Sequence, residues 1–167
     1  MNLSLHKIVF ITSTFFLISC TKDKLPKATE KGANTFGCKV DGKFFKPYFR
    51  GGLFNNVNVL RIGNNTNGFG IHAANQETHE SVSIEFTFIT KPGVYQLRQY
   101  PYRGIFSAGP ISPGWYTTDS LNTGELIITR CDLANNIYSG KFSFIGKDPN
   151  TGKTVKVTDG RFDLKDE

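Results

Sequence analysis

Histidine is scarce in this 167-residue chain, which has only His6, His72 and His79. His79-Glu80 begins like the pair that a zinc protease carries on a helix. No second His follows at the helical spacing, however, and the surrounding polarity alternates with period two, so the pair would not share a helix face. His72, Glu77 and His79 could share a metal only across a turn; loop histidines in solvent are the favoured reading, and neither metal nor other cofactor is expected. Serine, histidine and acids occur without a Gly-x-Ser-x-Gly elbow, so no enzyme is expected. A hydrolase with no recognisable catalytic motif is kept as the alternative. Asp148-Pro149-Asn150-Thr151-Gly152 sets oxygen side chains at alternate positions as a calcium loop does. Its glycine comes one residue early and the later bidentate acid is missing. A hairpin turn explains it better.

Binding chemistry is concentrated between Tyr95 and Tyr116, where aromatic and Arg residues are punctuated by Pro101, Pro110 and Pro113. Tyr100, Tyr102, Arg103, Trp115 and Tyr116 are the candidate ligand contacts, because aromatic rings beside hydrogen-bonding groups can stack on sugar rings or grip a partner surface with few rotamers to freeze. The plainer reading, and the favoured one, makes them rim residues closing one end of the core.

The N-terminus has a different chemistry. Lys7 supplies a charged start and Ile8 to Ile18 is an apolar run of 11 residues. That length suits a signal peptide and falls short of the roughly 20 residues a membrane-spanning helix needs. Leu17-Ile18-Ser19-Cys20 resembles the bacterial lipobox, which implies cleavage before Cys20, diacylglycerol transfer to its sulfur and acylation of the new amine. Two or three acyl chains anchor stably where one does not. Residues 1–19 are therefore expected to be a cleaved signal peptide, and 20–35 a lipidated N-terminus and flexible tether with a root-mean-square span of about 20 Å. Residues 36–167 are expected to form one domain. Thr21 is not the Asp that retains some lipoproteins at the inner membrane, so the expected location is the outer membrane, with the leaflet open.

The elements that position these residues are strands. Val82, Ile84, Phe86 and Phe88 alternate with Ser81, Ser83, Glu85 and Thr87, the pattern of a half-buried antiparallel strand. Tyr138, Phe142 and Phe144 alternate likewise with Ser139, Lys141 and Ser143. Asp41-Gly42 is a two-residue hairpin signal, because both central positions of that turn want positive φ. Turn chemistry divides the domain into about ten strands: Phe36–Val40, Lys43–Tyr48, Val57–Ile62, Phe69–Ala73, Val82–Ile89, Val94–Leu97, Glu125–Cys131, Ile137–Gly146, Thr154–Val157 and Arg161–Leu164. Short strands at this spacing predict an all-β, antiparallel β-sandwich or barrel-like domain, with the choice between the two left open. Ile127 and Ile128 are consecutive apolar residues, so that strand is expected to be covered on both faces.

Two stretches, Asn34-Thr35-Phe36-Gly37-Cys38-Lys39-Val40-Asp41-Gly42-Lys43 with Phe44-Phe45-Lys46-Pro47, and Ser139-Gly140-Lys141-Phe142-Ser143-Phe144 with Val155-Lys156-Val157-Thr158-Asp159-Gly160-Arg161-Phe162, resemble an uncharacterised lipoprotein family of the Bacteroidota. The resemblance covers the two ends of the domain and implies a lipoprotein with a β-domain and no particular activity. Asp119-Ser120-Leu121 resembles the Asp-Ser/Thr-aliphatic acceptor for O-glycosylation of exported proteins in that group, with Ser120 as the acceptor.

The chain carries 20 Lys plus Arg against 14 Asp plus Glu. These are spread and interleaved rather than gathered on one stripe, so nucleic acid is not an expected partner. The expected partners are the membrane, through acyl chains on Cys20, and a glycan or envelope protein. The resulting expectation is a lipid-anchored cell-envelope protein acting as a non-catalytic binding or structural module. Cys38 and Cys131 remain once Cys20 is lipidated. An oxidising compartment permits a disulfide between them, whereas buried thiols packing separately as small hydrophobes is the favoured alternative.

Overall fold

A computed structural model describes residues 24–49, 60–65, 68–87, 89–109 and 114–165. The expected signal segment, Cys20, Phe88, Pro110, Pro113 and the start of the expected strand at Val57 lie outside the described residues. Within them the chain is all-β: β1 (Thr35–Val40), β2 (Lys43–Phe45), β3 (Leu60–Asn65), β4 (Gly68–Asn75), β5 (Glu80–Phe86), β6 (Gly93–Leu97), β7 (Arg103–Ala108), β8 (Gly114–Thr117), β9 (Gly124–Asp132), β10 (Ile137–Lys147) and β11 (Thr154–Lys165).

All eleven strands form one antiparallel sheet that branches at β10. One arm runs β2-β1-β11-β10-β9-β6; the other leaves the end of β10, where Lys147 pairs with Thr117, and runs β8-β7-β5-β4-β3. At the opposite side Tyr48 bridges to Asn75, its N–H donating to the Ala74 carbonyl at 3.1 Å and its carbonyl accepting from Gln76 at 3.0 Å. The sheet therefore nearly closes on itself around one core, which is how a barrel or sandwich removes most of its exposed edges.

Local chemistry explains the turns. Asp41 (φ 47°) and Gly42 (φ 81°) both take positive φ between the paired Val40 and Lys43, so the two-residue hairpin forms as its residues demand. Asn75, Asp132 and Asp148 each turn a carbonyl or carboxylate oxygen onto backbone N–H groups two or three residues on. Asp148 also accepts from the Thr151 hydroxyl at 2.8 Å, so its carboxylate is spent on the turn rather than offered to a cation.

The core gathers the alternate residues. Val82, Ile84 and Phe86 from β5, Leu126 and Ile128 from β9, Phe142 and Phe144 from β10, and Phe162 and Leu164 from β11 are all buried in one cluster. Leu126 and Ile128 face inward, and Ile127 stands on the outer face half-covered. The aromatic rings need room that glycine provides: a Cβ on Gly160 would come within 2.6 Å of the Phe142 ring. β11 is one continuous strand, not the two expected segments. A bulge around Asp159 (φ 55°), whose carboxylate pairs with Lys39 at 2.9 Å, absorbs the interruption that the sequence pattern suggested. β7 and β8 were not expected, and β2 stops at Phe45, ahead of Pro47.

Residues 24–34, within the segment expected to be a flexible tether, contact the sheet. They form a strap laid over the outer face of β1, β10 and β11. Asp163, 1% exposed, accepts hydrogen bonds from the Thr29 hydroxyl (2.5 Å), from the backbone N–H groups of Lys31 (3.0 Å), Gly32 (2.8 Å) and Ala33 (3.2 Å), and from the Ser139 hydroxyl (2.7 Å). Arg161 donates to the Pro26 carbonyl at 3.4 Å, Arg130 donates to that of Glu30, and Asn34 accepts from the Lys165 N–H at 2.8 Å. Polar composition suggested free coil here; the buried carboxylate at the far end of the sequence overrides it.

Candidate functional site

The outer face of the β4-β5-β7-β8 arm is where the remaining chemistry gathers. Strand register arranges it in rows. Trp115, Ser107, Ser81 and Ala74 lie side by side; next come Thr117, Ile105, Ser83 and His72; then Arg103, Glu85 and Gly70. Alternation puts the chain neighbours of these residues, Val82, Ile84, Phe106 and Tyr116, against the core. Trp115 is 47% exposed, and the residues beside it in its row are small. It therefore forms a low wall beside a flat shelf.

Polar groups cross the shelf in pairs. Ser81 and Ser107 hydroxyls lie 2.8 Å apart, His72 Nδ1 is 2.8 Å from the Ser83 hydroxyl, and Arg103 Nε donates to Glu85 at 2.5 Å. Opposite charges directly across an antiparallel ladder stabilise modestly, and the Arg103–Glu85 pair stays partly open to solvent, with side chains 33% and 27% exposed. The shelf offers hydroxyl, imidazole, carboxylate and guanidinium groups beside one indole.

His72 and Ser83 are within the distance a nucleophile and its base require. Ser83 lies mid-strand, though, with β4 on one side and β7 on the other, so the backbone N–H groups around it are committed to the ladder rather than free to hold an oxyanion. Glu85, the nearest acid in its strand, is engaged by Arg103.

The five aromatic-segment residues do not converge. Trp115 and Arg103 lie on the shelf. Tyr116 turns to the other side of β8 and packs on Phe106 with centroids 5.9 Å apart. Tyr102 stacks on Tyr95 at 5.7 Å and its hydroxyl accepts from Thr87 at 3.0 Å. Tyr100 stands 58% exposed in the turn between β6 and β7. Neighbouring residues of one strand necessarily face opposite sides, and that separates Trp115 from Tyr116. Nothing in the sequence joins His72, Ser83 and Glu85; the polar half of the Ser81-Ser83-Glu85 alternation is the available signal, but it says nothing about which strands lie beside it.

Among the described residues no three His, Cys, Asp or Glu side chains stand close enough to hold a metal ion. Glu77 and His79 sit in the β4–β5 turn, away from the His72–Ser83 contact. Ser120 and Leu121 are exposed, Leu121 at 87%, on a loop that Asp119 fixes by accepting from the N–H groups of Leu121 (2.7 Å) and Asn122 (2.6 Å). The Asn122 backbone and side-chain donors hold the Asp119 carboxyl below its ordinary range.

Cys38 and Cys131 are free thiols. β11 and β10 stand between their strands, which puts them about 14 Å apart across the sheet at roughly 4.8 Å per strand. A disulfide needs Cα atoms within about 7 Å, so the disulfide option is excluded by topology. Burial pushes the Cys38 thiol up to about 12. Burial also raises that of Cys131, whose Sγ is 3.5 Å from the Ile89 carbonyl that accepts from the Tyr138 hydroxyl.

Residues 34–163 match the family described as a domain of unknown function, DUF6252, and the chain belongs to that family. No curated protein and no solved structure matches the chain.

Proposed function

We propose that this chain is a lipid-anchored, non-catalytic binding module of the bacterial cell envelope, tethered at the outer membrane through Cys20, whose ligand lies on the β4-β5-β7-β8 shelf against Trp115. The observation that carries the binding reading is the half-exposed Trp115 standing over small side chains, in a field of hydroxyl, imidazole and paired charged groups. An indole face stacks on the C–H side of a sugar ring while neighbouring polar groups take its hydroxyls. A glycan is therefore the ligand class. The Leu17-Ile18-Ser19-Cys20 sequence supports lipidation, and the exposed Asp119-Ser120-Leu121 loop supports O-glycosylation at Ser120.

Trp115 is the chain's single tryptophan, so emission excited selectively at the indole, beyond tyrosine absorption, reports this site and no other. Titration with envelope oligosaccharides should give a saturable change in emission, and calorimetry should show binding lost in Trp115→Ala. Binding that survives Trp115→Ala unchanged would place the ligand elsewhere. Mass spectrometry of the N-terminal peptide from native cells should show an acylated Cys20; a mature N-terminus at another residue would refute the anchor.

The His72–Ser83 contact favours a hydrolase as the second reading. Ester turnover abolished by Ser83→Ala would establish it.

A further inference from the structure

The outer face of the other arm carries a different chemistry. Lys141 and Arg161 sit directly opposite one another on β10 and β11, and like charges in that position repel unless an anion lies between them. Lys141 is exposed and has no ion-pair partner among the described residues. The two cations line a shallow groove of about 290 Å³ with Ile127, Ser143, Glu125 and Asp159. Glu125 accepts from Gln96 at 3.2 Å and Asp159 is paired with Lys39, so neither acid is committed to Lys141 or Arg161.

Exposed apolar side chains flank these charges. Val94 (60% exposed) pairs in register with Ile127, Ile145 (40%) with Lys156, and Phe44 (46%) with Lys39, whose ammonium lies 5.6 Å from the Phe44 ring. The shelf around Trp115, by contrast, holds one compensated Arg–Glu pair.

The strap ties this face to the anchor. A Cβ on Gly37 would meet Leu25 and Pro26, and Arg161 donates to the Pro26 carbonyl, so Pro26 lies at the rim of the groove. Pro26 follows Cys20 by six residues, at most about 21 Å of extended chain. On the reading that Cys20 is lipidated, this face cannot be far from the bilayer.

We propose that the outer face of β9, β10 and β11 around Lys141 and Arg161 is a membrane-contact surface that takes phosphate-bearing anionic lipid headgroups, with Val94 and Ile145 at the headgroup boundary. Cations attract an anionic surface within a Debye length, and the apolar side chains add area to bury at the interface. The domain is then held with the Trp115 shelf directed away from the lipid.

Vesicle sedimentation tests this without the anchor. The chain lacking residues 1–19 and carrying Cys20→Ser has no acyl group but keeps every described contact, since the described fold begins at residue 24. It should bind phosphatidylglycerol vesicles at low salt, release from them as salt rises, and bind phosphatidylcholine vesicles weakly. Each basic residue near an anionic surface is worth about a fivefold change in partitioning, so Lys141→Gln with Lys156→Gln should weaken binding by about twenty-five-fold. Trp115→Ala should leave it unchanged. Both lysines are exposed, and an unchanged melting temperature shows that the fold is retained. No binding to phosphatidylglycerol, or equal binding by the double variant, overturns the proposal. Because no acyl chain is present, either result stands apart from whether Cys20 is lipidated in the cell.

Discussion

Replacing Asp163 with Asn tests how the strap is held. The carboxylate is 1% exposed and accepts five hydrogen bonds: Oδ2 from Thr29, Lys31 and Ala33, and Oδ1 from Gly32 and Ser139. Burial alone would raise its pKa, but these donors outweigh burial and hold the carboxyl well below the usual range. In Asp163→Asn an amide oxygen at the Oδ2 position keeps three donors. The NH2 then faces the Gly32 N–H, which loses its acceptor, while the Ser139 hydroxyl can rotate to accept. Hydrogen bonds to a charged group contribute about 1 kcal/mol more than neutral ones, and the orphaned N–H costs about 1–2 kcal/mol. The sum is about 4 kcal/mol, or a melting temperature lower by roughly 8–16 °C in a domain of this size. If the strap releases before the sheet unfolds, the global loss stops at what docking contributes, and the effect moves to hydrogen exchange. The amides of Lys31, Gly32 and Ala33 should then lose protection while those of β10 and β11 keep theirs. The pH dependence has a definite sign. A depressed folded pKa contributes stability that is present above the unfolded value of about 3.9 and is lost as pH falls through the folded one. The gap between wild type and Asp163→Asn should therefore be constant from about pH 5 to 8 and should narrow progressively below about pH 4, closing only as pH falls through the depressed folded value. A melting temperature within 2 °C of wild type, together with unchanged exchange in the strap, would refute the clamp.

Gly160→Ala forces a Cβ to within 2.6 Å of the Phe142 ring. Overpacking of this kind costs about 1–3 kcal/mol, which a thermal melt with a weakened near-ultraviolet dichroism signal should report. In the Cys20→Ser chain, two thiols should titrate in denatured, unreduced protein, and Cys38 should stay unreactive in the native state because burial holds its thiol near 12; a count of zero would establish a bridge. Ser120→Ala should increase gel mobility of the protein taken from its native host, and an unshifted band would count against glycosylation there.

The fold was legible where turn chemistry and alternation agree. Asp41-Gly42 demands positive φ at both positions and takes it, and the alternation in β5 and β10 matches the inward and outward faces. Legibility failed where a pattern needs a distant partner. Residues 24–34 read as free coil because nothing near them in sequence reveals that a carboxylate some 130 residues away completes their hydrogen bonds. β7 and β8 are hidden among Pro, Gly and aromatic residues that read as the rim closing one end of the core. With them unrecognised, Trp115 and Tyr116 looked like one cluster, and the row joining Trp115 to Ser107 and Ser81 could not be seen. Cys38 and Cys131 were ambiguous for the same reason: sequence counts thiols, but the two strands between them belong to topology.

The two stretches that carry the family resemblance acquire a physical meaning from this topology. Asp41 and Gly42 make the first turn, and the Asp41 carboxylate caps the Lys156 N–H at 2.8 Å. Asp159 forms the bulge, Gly160 lies under Phe142, and Ser139 serves the same carboxylate as the strap. Nearly all of these residues build the arm on which the strap docks, and none lies on the Trp115 shelf. A chain under selection to keep the strap, β1, β10 and β11 together can hold that arm constant while the shelf on the other arm changes its side chains, since the shelf residues project from strands whose pairing is made by backbone groups. That division predicts conservation within the family on the strap-bearing arm and variation around Trp115, the arrangement expected of a common scaffold that presents different surfaces.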